Sequence, residues 1–211
     1  MLNLIKKDIL IVKKMTSIIL GLTFIIPMFF NFVAEEVALP FALANTSMTM
    51  ILGIMLFASI YEEEEKFPKS KILITTIGYS RQIQILERYI LAIVVFVFIT
   101  LVVTLESTVL PNLNTISVKG LAISFFVFSV IYGLFFSLTT KYGIRAGRYI
   151  NIFIILLVSL GPVIVQKLNV DLSKIKNING TALIIFCFSI GALFYLGTYF
   201  ISCKAYDSKD L

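Results

Sequence analysis

The chain has 211 residues, 59% of them hydrophobic and only 14% charged, with a mean hydropathy of +0.99 and a formal net charge of +6. A water-soluble domain carries roughly 25% charged residues, so the composition excludes an ordinary globular protein and puts most of the chain in lipid. Histidine is absent and the cysteines are Cys187 and Cys203 alone, which counts against histidine-dependent hydrolases, most zinc and iron centres, and histidine proton relays.

The first stretch, MLNLIKKDILIVKK, sets Leu2, Ile5, Ile9 and Val12 on one helical face and gathers Lys6, Lys7, Lys13 and Lys14 on another side. That pattern fits a helix lying in the headgroup plane, and equally a basic flank that orients the first span. Six apolar stretches then follow, at about Met15–Val33, Phe41–Ile60, Tyr89–Leu105, Gly120–Thr139, Ile150–Val165 and Thr181–Ser202. A helix needs about 20 apolar residues to cross the hydrocarbon core, and a barrel would instead show alternating segments of roughly 10. The predicted fold is therefore an all-α integral membrane protein with six transmembrane helices, an N-terminal amphipathic interfacial helix, and one domain over residues 1–211. Ala42-Leu43-Ala44 looks like a signal-cleavage triplet, but it lies too far from the start and follows a full-length span.

Within the spans, Pro27 removes a backbone donor, with Asn31 one turn later, and Gly161-Pro162 does the same in the fifth. Asn45, Thr46, Ser47 and Thr49 sit near the outer end of the second span. They can line a route for cargo, or bond neighbouring helices and their own backbone. Glu106 is expected at the outer interface, unburied.

Between the second and third spans lies the most polar long stretch, EEEEKFPKSKILITTIGYSRQIQILERYI. Four adjacent glutamates on a helix point in four directions, about 100° apart, so Glu62–Glu65 read as a solvated extension of the second helix, with Glu62 meeting Lys66 at i,i+4. An EF-hand spaces its oxygens differently and needs a glycine turn. Pro68 discourages α conformation at Phe67 and breaks the rod. Lys71–Ile77 makes about two turns of a short helix, Gly78 is suited to end it, and Ser80 can cap a helix that begins at Arg81. Ile72, Leu73, Ile74 and Ile77 are too few for a span. The element suits either docking to a partner, with Tyr79, Arg81 and Gln82 in its groove and Lys69, Lys71 and Arg81 against its acidic rim, or resting on lipid.

Lysine and arginine in the short loops give the orientation. Lys6, Lys7, Lys13, Lys14, Lys66, Lys69, Lys71, Arg81, Arg88, Lys141, Arg145, Arg148, Lys204 and Lys209 collect on one side, against Lys119, Lys167, Lys174 and Lys176 on the other. Both termini and the Glu62–Arg88 loop are therefore expected in the cytoplasm. The basic excess follows from this rule and implies no nucleic acid.

Catalytic motifs are missing. No G-x-x-x-x-G-K-[ST] run occurs, and Lys69-Ser70 has no glycine before it nearer than Gly53. Neither H-E-x-x-H nor a rhomboid-type serine–histidine pair is present. The loops Ala34–Pro40, Ser107–Lys119 and Gln166–Gly180 are too short for an enzyme domain. The chain is expected to hold no catalytic residue, cofactor or metal. A channel would need rings of charge, and a proton-coupled secondary transporter would need midplane carboxylates and an inverted repeat. These remain the rival classes.

The Ile77-Gly78-Tyr79-Ser80-Arg81-Gln82-Ile83 run followed by Arg88-Tyr89, together with the layout of the whole chain, resembles the permease subunit of type-2 ATP-binding-cassette exporters. Within it the resemblance is to the small six-span bacterial permeases that export phenol-soluble modulin peptides. The family commonly shows leucine-proline-valine-serine-arginine here; Gly78 stands where proline is usual and Tyr79 where valine is usual. The resemblance implies a multi-pass protein of the bacterial cell membrane, working as a permease dimer, most simply a homodimer. Each copy would be joined by a separate cytoplasmic P-loop ATPase that binds ATP and Mg. It implies amphipathic or hydrophobic peptides as cargo, with lantibiotics, other antimicrobial peptides and lipid-like drugs as close rivals. It makes Ile72, Leu73, Ile77, Gly78, Tyr79, Ser80, Arg81 and Gln82 the coupling segment, with Pro27, Asn31, Asn45 and Pro162 as pathway or helix-bend positions.

Overall fold

Six helices carry the described part of the computed structural model, which covers residues 2–33, 41–67, 79–109, 117–147, 149, 152 and 180–207; no strand occurs among them. They are α1 (Leu2–Ile11), α2 (Lys13–Val33), α3 (Phe41–Lys66), α4 (Arg81–Val109), α5 (Val118–Tyr142) and α6 (Gly180–Asp207). The last three are long and apolar enough to cross a membrane. α2 and α3 coincide with the first two expected spans, and the fifth, apart from Ile152, lies outside the described residues.

α1 and α2 nearly form one rod. The Val12 amide reaches back to the Asp8 carbonyl over a long 3.4 Å, while Thr16 bonds the Val12 carbonyl at 2.9 Å. The weakened bond lets the chain turn at Val12, so that α1 lies along α3 and α4. Its inward stripe is Leu4, Asp8 and Val12, at i, i+4 and i+8, with Ile5 half-buried beside it. Ile9, expected on the apolar face with Val12, instead points outward with Leu10 and Ile11. A buried carboxylate, and not only a row of aliphatics, sets the face.

α2 passes Pro27 and Asn31 without interruption. α3 runs on to Lys66, as its glutamates lead one to expect, and closes with the Phe67 amide on the Glu64 carbonyl at 3.2 Å. α4 begins as its sequence suggests: the Ser80 hydroxyl accepts from the Ile83 amide at 3.4 Å. α5 ends at Gly143, which adopts φ +83° while its amide bonds the Thr139 carbonyl at 2.9 Å. Any residue with a Cβ would be strained there.

α5 and α6 share the most extensive interface and run parallel. Gly180 sits beside Lys119, Gly191 beside Phe125, and Gly133 beside Thr198, so positions advance together along both helices. Small residues bring the backbones close, the arrangement that packs helices where water supplies no driving force. α3 and α4 complete the bundle around an aromatic core. Phe57 meets Tyr132 and Phe136 edge-on at 5.8 and 4.9 Å between centroids, and Tyr89 meets Tyr195 at 4.9 Å. Such pairs contribute about 0.5–1.5 kcal/mol each beyond area burial.

Buried tyrosine hydroxyls tie the helices across this core. Tyr132 donates to the Thr49 carbonyl of α3 at 2.8 Å, Tyr195 donates to the Tyr89 carbonyl of α4 at 2.8 Å, and Tyr89 shares a 2.9 Å bond with Ser202. Thr49, 1% exposed, thus takes part in helix packing. Glu106 departs from expectation: it is buried at 9% exposure near the end of α4 and not spread on the surface.

Candidate functional site

The ends of α3 and α4 that flank residues 67–80 meet α1 in a cluster of charges. Glu64 is 5% exposed and lies between two cations: Lys7 Nζ of α1, 3.3 Å from Oε1, and the Arg88 guanidinium of α4 on Oε2. This corrects the expectation of a fully solvated glutamate run. Glu62 and Glu65 are exposed and Lys66 pairs with Glu63, but the helical turn that exposes those carboxylates carries Glu64 inward. Arg88 is fixed on its other side, with its carbon 4.2 Å from the centre of the Tyr61 ring, a cation–π contact strengthened by desolvation.

Asp8, fully buried, completes the cluster, 2.7 Å from Lys7 Nζ. Burial works against the Lys7 ammonium, but the neighbouring Asp8 carboxylate and then Glu64 outweigh it and hold its pKa above the ordinary lysine value. Glu87, 2% exposed, lies within electrostatic reach of Asp8, Arg88, Lys7 and Glu64. Three carboxylates, Asp8, Glu64 and Glu87, thus face two cations, and Glu87 Oε1 has no hydrogen-bond partner. A buried ion pair is weak evidence for net stability but strongly fixes who neighbours whom. Here it fixes α1, α3 and α4 at the base of one connection.

A second chain of contacts leads from that connection into the bundle. Tyr79 is half-buried, and its carbonyl accepts from Gln84 Nε2 at 3.3 Å; the Gln84 Oε1 in turn accepts from the Tyr206 hydroxyl of α6 at 3.3 Å. Glu65 accepts from the Ile144 amide at 3.4 Å, just beyond the Gly143 turn. Between these contacts lies a cavity of about 130 Å³ whose lining includes Tyr61, Glu65, Gln84, Arg88, Thr139 and Tyr206. Helices α3, α4, α5 and α6 all reach it.

Of the expected coupling residues, Tyr79 and Ser80 form the turn before α4, while Arg81 and Gln82 open it, Gln82 exposed. Ile72, Leu73, Ile77, Gly78 and Pro162 lie outside the described residues. Pro27 and Asn31 are helical positions of α2, and Asn45 of α3; their side chains lie outside the described set. The sequence reading passed over Asp8, Glu87 and Gln84. The signals were present for two of them: an acid at the centre of the Leu4–Val12 stripe, and an acid beside Arg88 where an apolar span begins.

A family model described as ABC-2 family transporter protein matches residues 3–207. No curated protein matches the chain, and no solved structure does.

Proposed function

This chain belongs to the ABC-2 transporter family, as an ABC permease subunit, and from that premise we propose that it exports amphipathic or hydrophobic peptides using ATP hydrolysed by a separate cytoplasmic ATPase. Two copies form the conduit. Residues 72–82 are the part that the ATPase grips, and the end of the bundle carrying Lys7, Glu64 and Arg88 faces the cytoplasm with both termini. ATP and Mg belong to the partner.

The observation that carries the reading is the charge cluster at the base of that segment. A displacement of the 67–80 connection bears on α3 and α4 at once, because each is covalently joined to it. Glu64 lies near one joint and Arg88 near the other, and they hold each other. Lys7 passes the same displacement to α1. Coupling needs an element with two arrangements that both sites bias, and a point where three helices are held together by ion pairs supports that reading.

Six spans are part of this proposal, and the parallel run of α5 and α6 supports it. Peptide cargo rests on the resemblance stated above. A channel or proton-coupled carrier is disfavoured by family membership.

Purification of the tagged chain from a bacterial membrane tests the reading. A P-loop ATPase is expected to co-purify, and ATP hydrolysis by the pair is expected to depend on both proteins and to rise with an amphipathic peptide. Hydrolysis by the permease alone, or export from vesicles without ATP, would overturn it.

A further inference from the structure

The cavity beside the charge cluster is more than a packing gap. Thr139 lines it at 2% exposure, and its hydroxyl has no hydrogen-bond partner. Buried polar groups are overwhelmingly bonded in native proteins, so this hydroxyl offers a hydrogen bond to a water or to a polar group that enters the space.

The lining gives the sign of that ligand. Glu65 is exposed at the rim, and among the described residues no cation pairs with it. The last turn of α5 ends here, and the carbonyl end of a 25-residue helix carries a partial negative charge. Among the described lining residues the cation is Arg88, which is already paired with Glu64 and stacked on Tyr61. The remaining polar groups include the Tyr206 hydroxyl and Gln84, bonded to each other. A cation is favoured in this space and an anion is not. An occupant touching Gln84 and Tyr206 would bear on the Tyr79 turn, since Gln84 Nε2 holds the Tyr79 carbonyl.

We propose that this cavity receives a basic side chain, lysine or arginine, of the cytoplasmic ATPase, as a second grip beside the 72–82 segment. The inference rests on the exporter reading above. A long side chain with a terminal charge matches a narrow polar recess, and it would link movement of the ATPase to α3, α4, α5 and α6 together.

The test measures binding of the co-purified ATPase to detergent-solubilised wild-type chain, Glu65→Gln and Glu65→Lys, at low and high salt. Glu65→Gln keeps an oxygen for the Ile144 amide and removes only the charge, while size-exclusion profiles confirm folding of each variant. Binding is expected to weaken several-fold for Glu65→Gln and about tenfold or more for Glu65→Lys, with a shallower salt dependence in both. One Lys→Glu or Arg→Glu change on the ATPase is expected to restore binding to Glu65→Lys specifically. If Glu65→Lys binds like wild type, or if no charge reversal on the ATPase recovers it, the cavity is not the receptacle even though the partnership stands. If the wild-type chain binds no ATPase, the exporter reading and this inference fall together.

Discussion

Gly53 is glycine because Tyr132 occupies the space a methyl group would need: a Cβ there would lie 1.7 Å from the tyrosine oxygen and 2.9 Å from its Cζ. The same hydroxyl donates to the Thr49 carbonyl one turn away, so the glycine and the tyrosine form one joint between α3 and α5. Gly53→Ala is expected to push the ring aside and cost about 1–3 kcal/mol. In a Tyr132→Phe background the penalty should shrink without vanishing, because Cζ remains close. Thermal unfolding of the four proteins of that cycle in detergent checks the coupling, and purely additive effects would refute the joint. Arg88 offers a second case. Arg88→Leu takes the guanidinium from buried Glu64 and is expected to cost about 3–5 kcal/mol, whereas Arg88→Leu with Glu64→Leu should recover part of the loss. Equal losses in the single and double variants would show that packing, and not charge, holds the site.

At the scale of elements, the helices were legible wherever apolar runs set them, and so were the extension of α3 to Lys66 and the start of α4 at Ser80. Side-chain facing was harder to read. Counting aliphatics placed Ile9 on one face with Val12, yet Asp8 is the residue fully buried beside Val12, because its partner Lys7 reaches Glu64 on another helix. A pairing across 57 residues of sequence leaves no local trace. Glu64 and Glu106 were misplaced for the same reason: charge alone argues for solvent, and only tertiary partners or packing reverse it. The structure makes α1 a docked element, and this can be measured. In Glu64→Gln, which keeps size but drops the charge facing Lys7 and Arg88, amides of residues 2–11 are expected to exchange with deuterium about tenfold faster, with α5 and α6 unchanged. Unaltered exchange in α1 would mean that Leu4 and Val12 hold it without the cluster.

For the whole molecule, the decisive property is which end faces the cytoplasm, because the start of α4, the charge cluster and the cavity all lie at one end. Lysine and arginine near span ends set orientation, and the last turn of α5 and the residues after it supply Lys141, Arg145 and Arg148. Lys141 and Arg145 are exposed and make no salt bridge among the described residues. Their positive charge is thus free to act on topology, and replacing them should not unravel the core. Reversing all three to glutamate swings the local charge from +3 to −3, against a surface attraction of about 1 kcal/mol per basic residue. The expected result is a mixed population in which the end of α5 faces outward in a measurable fraction of molecules. A cysteine placed at exposed Tyr142, in a background where Cys187 and Cys203 are serine, would report this through an impermeant maleimide applied to intact cells. Wild-type charge should protect that cysteine until the membrane is opened, and the triple reversal should leave part of it reactive. Full labelling of the unreversed protein in intact cells would place the cluster and cavity outside, where no ATPase could reach them.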